Sequence, residues 1–304
     1  MCKIIILLAA YNGENCIKEQ IDSILSQKEV DITIVVSCDL SNDKTLDIIN
    51  SYSKDKVVLL PYGERFGAAA PNFYRLIKDV DFTNYDYIAL SDQDDIWYDD
   101  KIISAIKKLD SEKAAGYSSN VTAFWSDGRK KTVIKATPQK KYDYLFEGPG
   151  PGCSFVITKE FALEFQNYIK DKTEMLKDLD WHDWLIYAFA RSRNYKWFID
   201  KESHMLYRQH SNNQLGANSG IKQFQKRVKD IFSGYGIHQT INTIHFLKME
   251  EDEFIKRWIN KKRKGYLYLS LKAKDCRRRK KDQILFWFSC VIMMSKNIPM
   301  EIEK

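Results

Sequence analysis

Asp92, Asp94 and Asp95 place three carboxylates within four positions, directly after a short apolar run at 87–90. Like charges crowded this closely repel and raise one another's pKa. A divalent cation removes that penalty, and hard oxygen donors suit Mg²⁺ or Mn²⁺ arriving with a phosphate-bearing substrate. Without a cation, the same acids would be a solvated turn capping a helix that starts near Tyr98. The elements around the cluster bear on the choice.

Residues 3–11 are nearly continuously apolar, the pattern of a strand covered on both faces, and Tyr11-Asn12-Gly13 makes the turn after it. The run superficially resembles a signal peptide, but it is short and a helical pattern follows, so it reads as a buried strand. Ile17, Ile21, Ile24 and Leu25 then recur at helical spacing. Strands are expected at 32–37 and 57–60, helices around Ile48 and Phe73, and a strand at 86–91 that delivers the acids. Strand and helix alternating at this spacing predict right-handed βαβ units and a parallel sheet, whose ligands sit at the strands' carboxyl ends. The second half is less regular. It reads as a strand at 114–126 weakened by Gly116, an exposed loop or hairpin at 127–141, and a turn-dense loop from Glu147 to Gly152. A strand at 153–158, helices at 159–170 and around Leu185, and short strands at 197–199 and 205–207 follow.

At 304 residues and 44% hydrophobic, the chain can bury a large core. Six cysteines form no metal-ligand spacing, and scattered thiols fit a reducing cytosol; Cys38 and Cys153 read as small buried hydrophobes. The net charge of +7 concentrates in the final third, at Lys261-Lys262-Arg263-Lys264 and Arg277-Arg278-Arg279-Lys280-Lys281. Such asymmetry points to an anionic partner. Neither GxxxxGK[ST] nor GxGxxG is present, which removes the signatures of NTP hydrolysis and dinucleotide binding. His182-Asp183 has the form of a metal phosphohydrolase pair, but the further His and Asp partners of that site cannot be placed.

Tyr11-Asn12-Gly13-Glu14, the helix from Glu19 to Gln27, Asn72-Phe73 and Ala89 through Trp97 together resemble family 2 glycosyltransferases. Trp181-His182-Asp183-Trp184 and Tyr207 through Asn213 extend the resemblance, which is strongest to bacterial rhamnosyltransferase-like members and covers about residues 3–215. It implies an α/β GT-A fold, Rossmann-like with a mostly parallel central sheet flanked by helices, at 1–215. A C-terminal helical extension would occupy 216–304.

The resemblance also implies roles. Asp94 would hold the cation, with Asp92 facing ribose or cation and Asp95 assisting. Asp39 would contact the nucleobase, and Ala10, Tyr11 and Asn12 would line its pocket with Glu14 nearby. Asp183 matches the general base. The family's second strand usually ends in two acids and a glycine, whereas this chain reads Cys38-Asp39-Leu40. His210 would be a metal ligand or diphosphate contact and Arg208 a phosphate clamp; the alternative for His210 is a loop histidine bonded to backbone. The loop from Glu147 to Ser154 would be either an acceptor floor or a rigid connector. Trp125, Trp181 and Trp184 would stack on sugars or pack in the core.

The implied activity is inverting transfer from dTDP-rhamnose or a UDP-sugar to an oligosaccharide acceptor linked to polyprenyl diphosphate, with Mg²⁺ or Mn²⁺ as cofactor. The expected location is cytoplasmic, on the inner face of the cell membrane. The rivals are a sugar nucleotidyltransferase, which would need a glycine-rich basic first loop, and a non-catalytic basic scaffold. In the tail, stripes at Phe224, Val228, Ile231 and Phe232 and at Ile255, Trp258 and Ile259 precede an all-apolar stretch at 284–294. That stretch is too short to span a membrane, which takes about 20 residues. Basic runs beside it suit an anionic membrane surface or, if they only face solvent, packing on protein such as a homodimer partner. No nucleic-acid module is present.

Overall fold

β1 (Cys2–Ala10) is buried along most of its length because both of its faces are covered. It pairs in parallel with β2 (Val30–Cys38) and β4 (Tyr87–Asp92), and β2 pairs in parallel with β3 (Val57–Leu59). The structure is a computed structural model that describes residues 1–209 and 233–296.

The main sheet continues through β9 (Val156–Thr158), β6 (Gly116–Ser119) and β10 (Trp197–Asp200), giving the order β10-β6-β9-β4-β1-β2-β3. Only β9 runs antiparallel to its neighbours. Helices α1 (Ile17–Leu25), α2 (Thr45–Asn50), α3 (Ala69–Asp79) and α4 (Lys101–Glu112) follow the first strands, as the alternating pattern predicts. α5 (Lys159–Ile169), α6 (Thr173–Leu176) and α7 (His182–Ser192) follow β9.

The expected strand at 114–126 is two strands. It breaks at Asn120, whose side chain accepts from Lys135 N and Ala136 N and donates to Lys201 O. Beyond the break, β7 (Val121–Phe124) joins a second sheet of order β5-β11-β7-β8, with β5 (Ile96–Trp97), β8 (Lys130–Val133) and β11 (Met205–Arg208). Gly116 does not weaken β6. A Cβ there would lie 2.2 Å from the Trp197 ring, so glycine permits the β6–β10 pairing.

The chain divides into two compact units. The first holds both sheets and spans 1–136, 149–177 and 181–217; the second comprises 137–148, 178–180 and 218–304. In the second unit lie α8 (Tyr235–Leu247), α9 (Glu253–Lys256), α10 (Lys262–Leu271), α11 (Ala273–Cys276) and α12 (Lys280–Lys296). Ile255, Trp258 and Ile259 are buried there, and Tyr142 stacks on Phe254 at 3.7 Å. The basic run at 277–281 is not uniformly free. Arg277 donates to Phe146 O, while Arg278 is buried against Asp143 and Glu147 and donates to Gly148 O. The stripe at 224–232 lies outside the described residues.

Candidate active site

The register Ala9↔Asp92 and Ala10↔Cys38 brings the carboxyl ends of β1, β2 and β4 level. Asp39 N donates to Ala10 O at 2.8 Å, and Asn72 on α3 donates to Ser37 O at 3.1 Å, tying strand ends to helix. The turn after β1 is held from two sides. Asn12, at φ 44°, donates its N–H to Ser41 Oγ, and Asn42 N donates back to Asn12 Oδ1. On the other side, Gln93 clasps the Tyr11 backbone, accepting from its N–H at 2.8 Å and donating to its carbonyl at 2.7 Å.

Three sequence candidates carry scaffold bonds at this edge. The buried Asp39 carboxylate accepts from the N–H groups of Leu40, Phe66 and Gly67 at 2.7, 2.9 and 2.8 Å, so it anchors the loop at 63–67. Three of about four lone pairs are thereby used, leaving room for one base contact. Glu14 accepts from Lys44 N, just before α2. Arg208 donates Nε to the Asp94 carbonyl at 2.8 Å and an Nη to Glu19, and lies 4.6 Å over the Phe124 ring. Its guanidinium grips the underside of the acidic turn.

The acids converge. Asp92, Asp95 and Cys153 bring their ligand atoms within 4.8 Å of one another. Burial first, then the charges of Asp94 and Asp183, push Asp92 up to about 7. Asp95 is fully buried and raised well above the carboxylate range by burial, then by Asp94 and Asp92. Its Oδ1 accepts from Arg208 N at 3.2 Å, whereas the buried Oδ2 has no well-formed hydrogen bond among the described residues, with the Cys153 thiol as its nearby polar neighbour. The Cys153 thiol is pushed up by burial, then by Asp95 and Asp92, and so stays protonated beside the acids. A protonated thiol is no hard-cation ligand, while the orphaned carboxylate oxygen is one; the donor set fits Mg²⁺ or Mn²⁺ on oxygen.

Beneath the turn, Gln20 links the backbone to the core. With its amide set to satisfy its neighbours, it donates to Asp95 O and accepts from Trp97 Nε1 and Ser91 Oγ. Lys101, buried at the start of α4, lays Nζ 3.5 Å from the Trp97 ring centroid.

Asp183 sits in the first turn of α7 and accepts from Trp184 N at 2.7 Å. His182 stacks on Phe73 at 4.0 Å, and burial lowers its pKa, so it is neutral. Gly152, in a 3-10 turn at 152–154, lets α7 approach: a Cβ there would lie 2.7 Å from His182 Nε2 and 3.3 Å from Asp183 Cβ. His210 lies outside the described residues.

A family model described as Glycosyl transferase family 2 matches residues 5–170. The dTDP-rhamnosyl transferase RfbG of Shigella flexneri is 46% identical over 280 residues, covering 91% of this chain and 96% of that one. The chain belongs to glycosyl transferase family 2.

A second relative in the family is the UDP-Glc:alpha-D-GlcNAc-diphosphoundecaprenol beta-1,3-glucosyltransferase WfaP of Escherichia coli. It is 30% identical over 152 residues, 50% of this chain and 59% of that one. Residues 1–349 of S. aureus TarS, solved with UDP, superpose with a TM-score of 0.53 at 14% identity, covering 97% of this chain and 89% of that one. The fold is therefore the GT-A α/β fold with a helical C-terminal region, and the chain is a glycosyltransferase.

Around the acidic turn, the sequence reading gave no role to Gln93, Gln20 or Lys101 and took Cys153 as a buried hydrophobe. Gln93 was visible between the acids and Gln20 lay in a helix that carries the family resemblance; Cys153 and Lys101 are brought in by tertiary packing.

Proposed function

We propose that the protein transfers rhamnose from dTDP-rhamnose, with inversion, to a hydroxyl of a glycan carried on a polyprenyl diphosphate. UDP-hexoses are the competing donors. The observation that supports the reading is geometric. Gly152 packs against Asp183, and its neighbour Cys153 lies among Asp92 and Asp95, which favours one site for the expected metal carboxylates and the expected base; Asp183 accordingly adds to the upward push on Asp92. The donor is inferred from the likeness to RfbG, which extends over most of both chains. The lipid-linked acceptor is inferred from WfaP, whose name specifies a diphosphoundecaprenol substrate.

Asp92 and Asp94, with Asp95, would hold Mg²⁺ or Mn²⁺, which when bound neutralises charge on the departing nucleoside diphosphate. Asp183 takes the proton from the acceptor hydroxyl as that oxygen attacks the anomeric carbon. A positioned carboxylate contributes roughly 10²–10⁴-fold in this role. No covalent intermediate is needed, because one attack from the face opposite the leaving group inverts the centre. Arg208 and Gln20 hold the acidic turn, and Gln93 holds the base-pocket turn formed by Ala10, Tyr11 and Asn12. We assign the chemistry to the part of 1–215 that lies in the first unit. The extension from 216 would keep the enzyme at the inner face of the membrane.

Calorimetry of dTDP, UDP and GDP binding tests the donor site. Mn²⁺-dependent binding of dTDP, lost in Asp94→Ala, is the expected result. Failure of all three nucleotides with and without Mn²⁺ would remove the reading of these acids as a metal-dependent nucleotide-sugar site.

A further inference from the structure

Residues 284–294 of α12 are apolar nearly all round, yet only Ser289, Cys290 and Met293 of the helix are buried. Ile284, Trp287 and Phe288 are exposed, Ile284 at 59% and Phe288 at 52%. α10 repeats the pattern: Tyr266 and Leu269 are buried, whereas Leu267 and Leu271 are exposed, Leu271 at 74%. A soluble surface carries single exposed apolar residues without consequence, but a concentration of large ones marks an interaction face.

The charges beside these faces decide the occupant. Lys262, Arg263 and Lys264 open α10 and are exposed, and Lys264, Leu267 and Leu271 fall at i, i+3 and i+7, on one face of the helix. Lys280 and Lys281 open α12, both exposed. The acids between 261 and 288 are Asp275 and Asp282, and each already pairs with a base, Lys272 and Arg279. A second copy of the chain would set these cations against themselves, while an anionic surface would complement them. No helix among the described residues is long and apolar enough to cross a membrane.

We propose that the exposed faces of α10 and α12 dock on an anionic lipid bilayer. Trp287, Phe288 and the leucines enter the headgroup boundary, and Lys262, Arg263 and Lys264 meet lipid phosphates. The inference deepens the peripheral placement proposed above and rests on it, but it can fail while sugar transfer stands.

The full chain is sedimented with phosphatidylcholine vesicles with and without phosphatidylglycerol. Binding is expected only with the anionic lipid, and is expected to fall as salt rises. K262Q/R263Q/K264Q should weaken it on the order of 100-fold, since each cation contributes about one tenfold step or slightly less. W287S/F288S should lose binding while keeping its melting temperature and its dTDP affinity. Equal binding to both vesicle types, or unchanged binding by both variants, overturns the proposal. So does a dimer in solution that W287S/F288S dissociates, since the face would then belong to a second copy.

Discussion

Both units bury carboxylates, and they treat them oppositely. In the second unit, Asp143 and Glu147 face Arg278, with Nη1 3.7 Å from Asp143 and Nε 3.6 Å from Glu147. The Arg278 backbone N–H adds a 2.6 Å bond to Glu147. In the first unit, the half-buried Asp92 and the fully buried Asp95 crowd together, and Arg208 reaches Glu19, the Asp94 carbonyl and, through its backbone N–H, Asp95 Oδ1. Matched buried charge is a structural joint, whereas buried charge without a counter-ion costs stability. The second kind persists where something arriving from solution supplies the missing charge. The difference is a physical ground, independent of relatives, for taking the first cluster as the candidate site and the second as scaffold.

The largest expected effect is on turnover. Asp183→Asn keeps the volume and the Trp184 N–H bond but cannot take a proton, so kcat should fall by roughly 10²–10⁴-fold with dTDP affinity unchanged. Steady-state kinetics beside calorimetry checks both. A fall in affinity with kcat intact would move Asp183 from base to donor contact. Next comes the matched cluster. Arg278→Met strands Asp143 and Glu147, and denaturant unfolding should show a loss of about 3–5 kcal/mol. A neutral result would mean that the second unit's charges are no better matched than the first's.

How much of this was legible follows from range. The acidic turn, the strand that delivers it and the alternation that implies a parallel sheet come from local periodicity, which sequence displays; the strand order β4-β1-β2-β3 does not. Asp39 was correctly placed at the end of β2, but its bonds to Phe66 and Gly67 depend on a loop 27 and 28 residues away. Cys153 read as a small hydrophobe, which it is by burial, yet the antiparallel β9 sets it among the acids. The run at 277–281 read as one basic patch. Burial splits it, because Arg277 and Arg278 fasten the segment at 137–148 while Lys280 and Lys281 stay exposed. Patterns report faces; they do not report partners far along the chain.

A smaller effect sharpens the unmatched side. An unfolded aspartate titrates near about 3.9, and folding raises Asp92 to about 7. The folded state then holds the proton more tightly, so the contribution of Asp92 is fully present below about pH 4 and is lost as pH rises to about 7. Asp92→Asn should therefore gain melting temperature over the wild type across that window and hold a constant lead above it. Mn²⁺ should close the gap above pH 7 by supplying the charge. A lead that ignores both pH and Mn²⁺ would show that packing, not repulsion, sets the difference.

The smallest effect tests the comparison on a cation. Lys101 is buried like Arg278, and its Nζ, which like Arg278 Nε and Nη1 has no hydrogen-bond partner among the described residues, rests on the Trp97 ring. Burial lowers its pKa from 10.5 to about 7, against the weaker pull of Cys153 and Asp95. A lowered base costs the fold most below pH 7, where the unfolded amine is charged and the buried one is forced to be, and the cost fades as pH rises to 10.5. Lys101→Met keeps the aliphatic stem and removes the charge, so it should stabilise by about 1 kcal/mol near neutral pH, the ring contact offsetting part of the gain. The gain should vanish at alkaline pH. If Lys101→Met instead destabilises as Arg278→Met does, the amine is the counter-charge of Asp95 after all. The acidic turn would then be a matched cluster like the one in the second unit, and the contrast between them would fail.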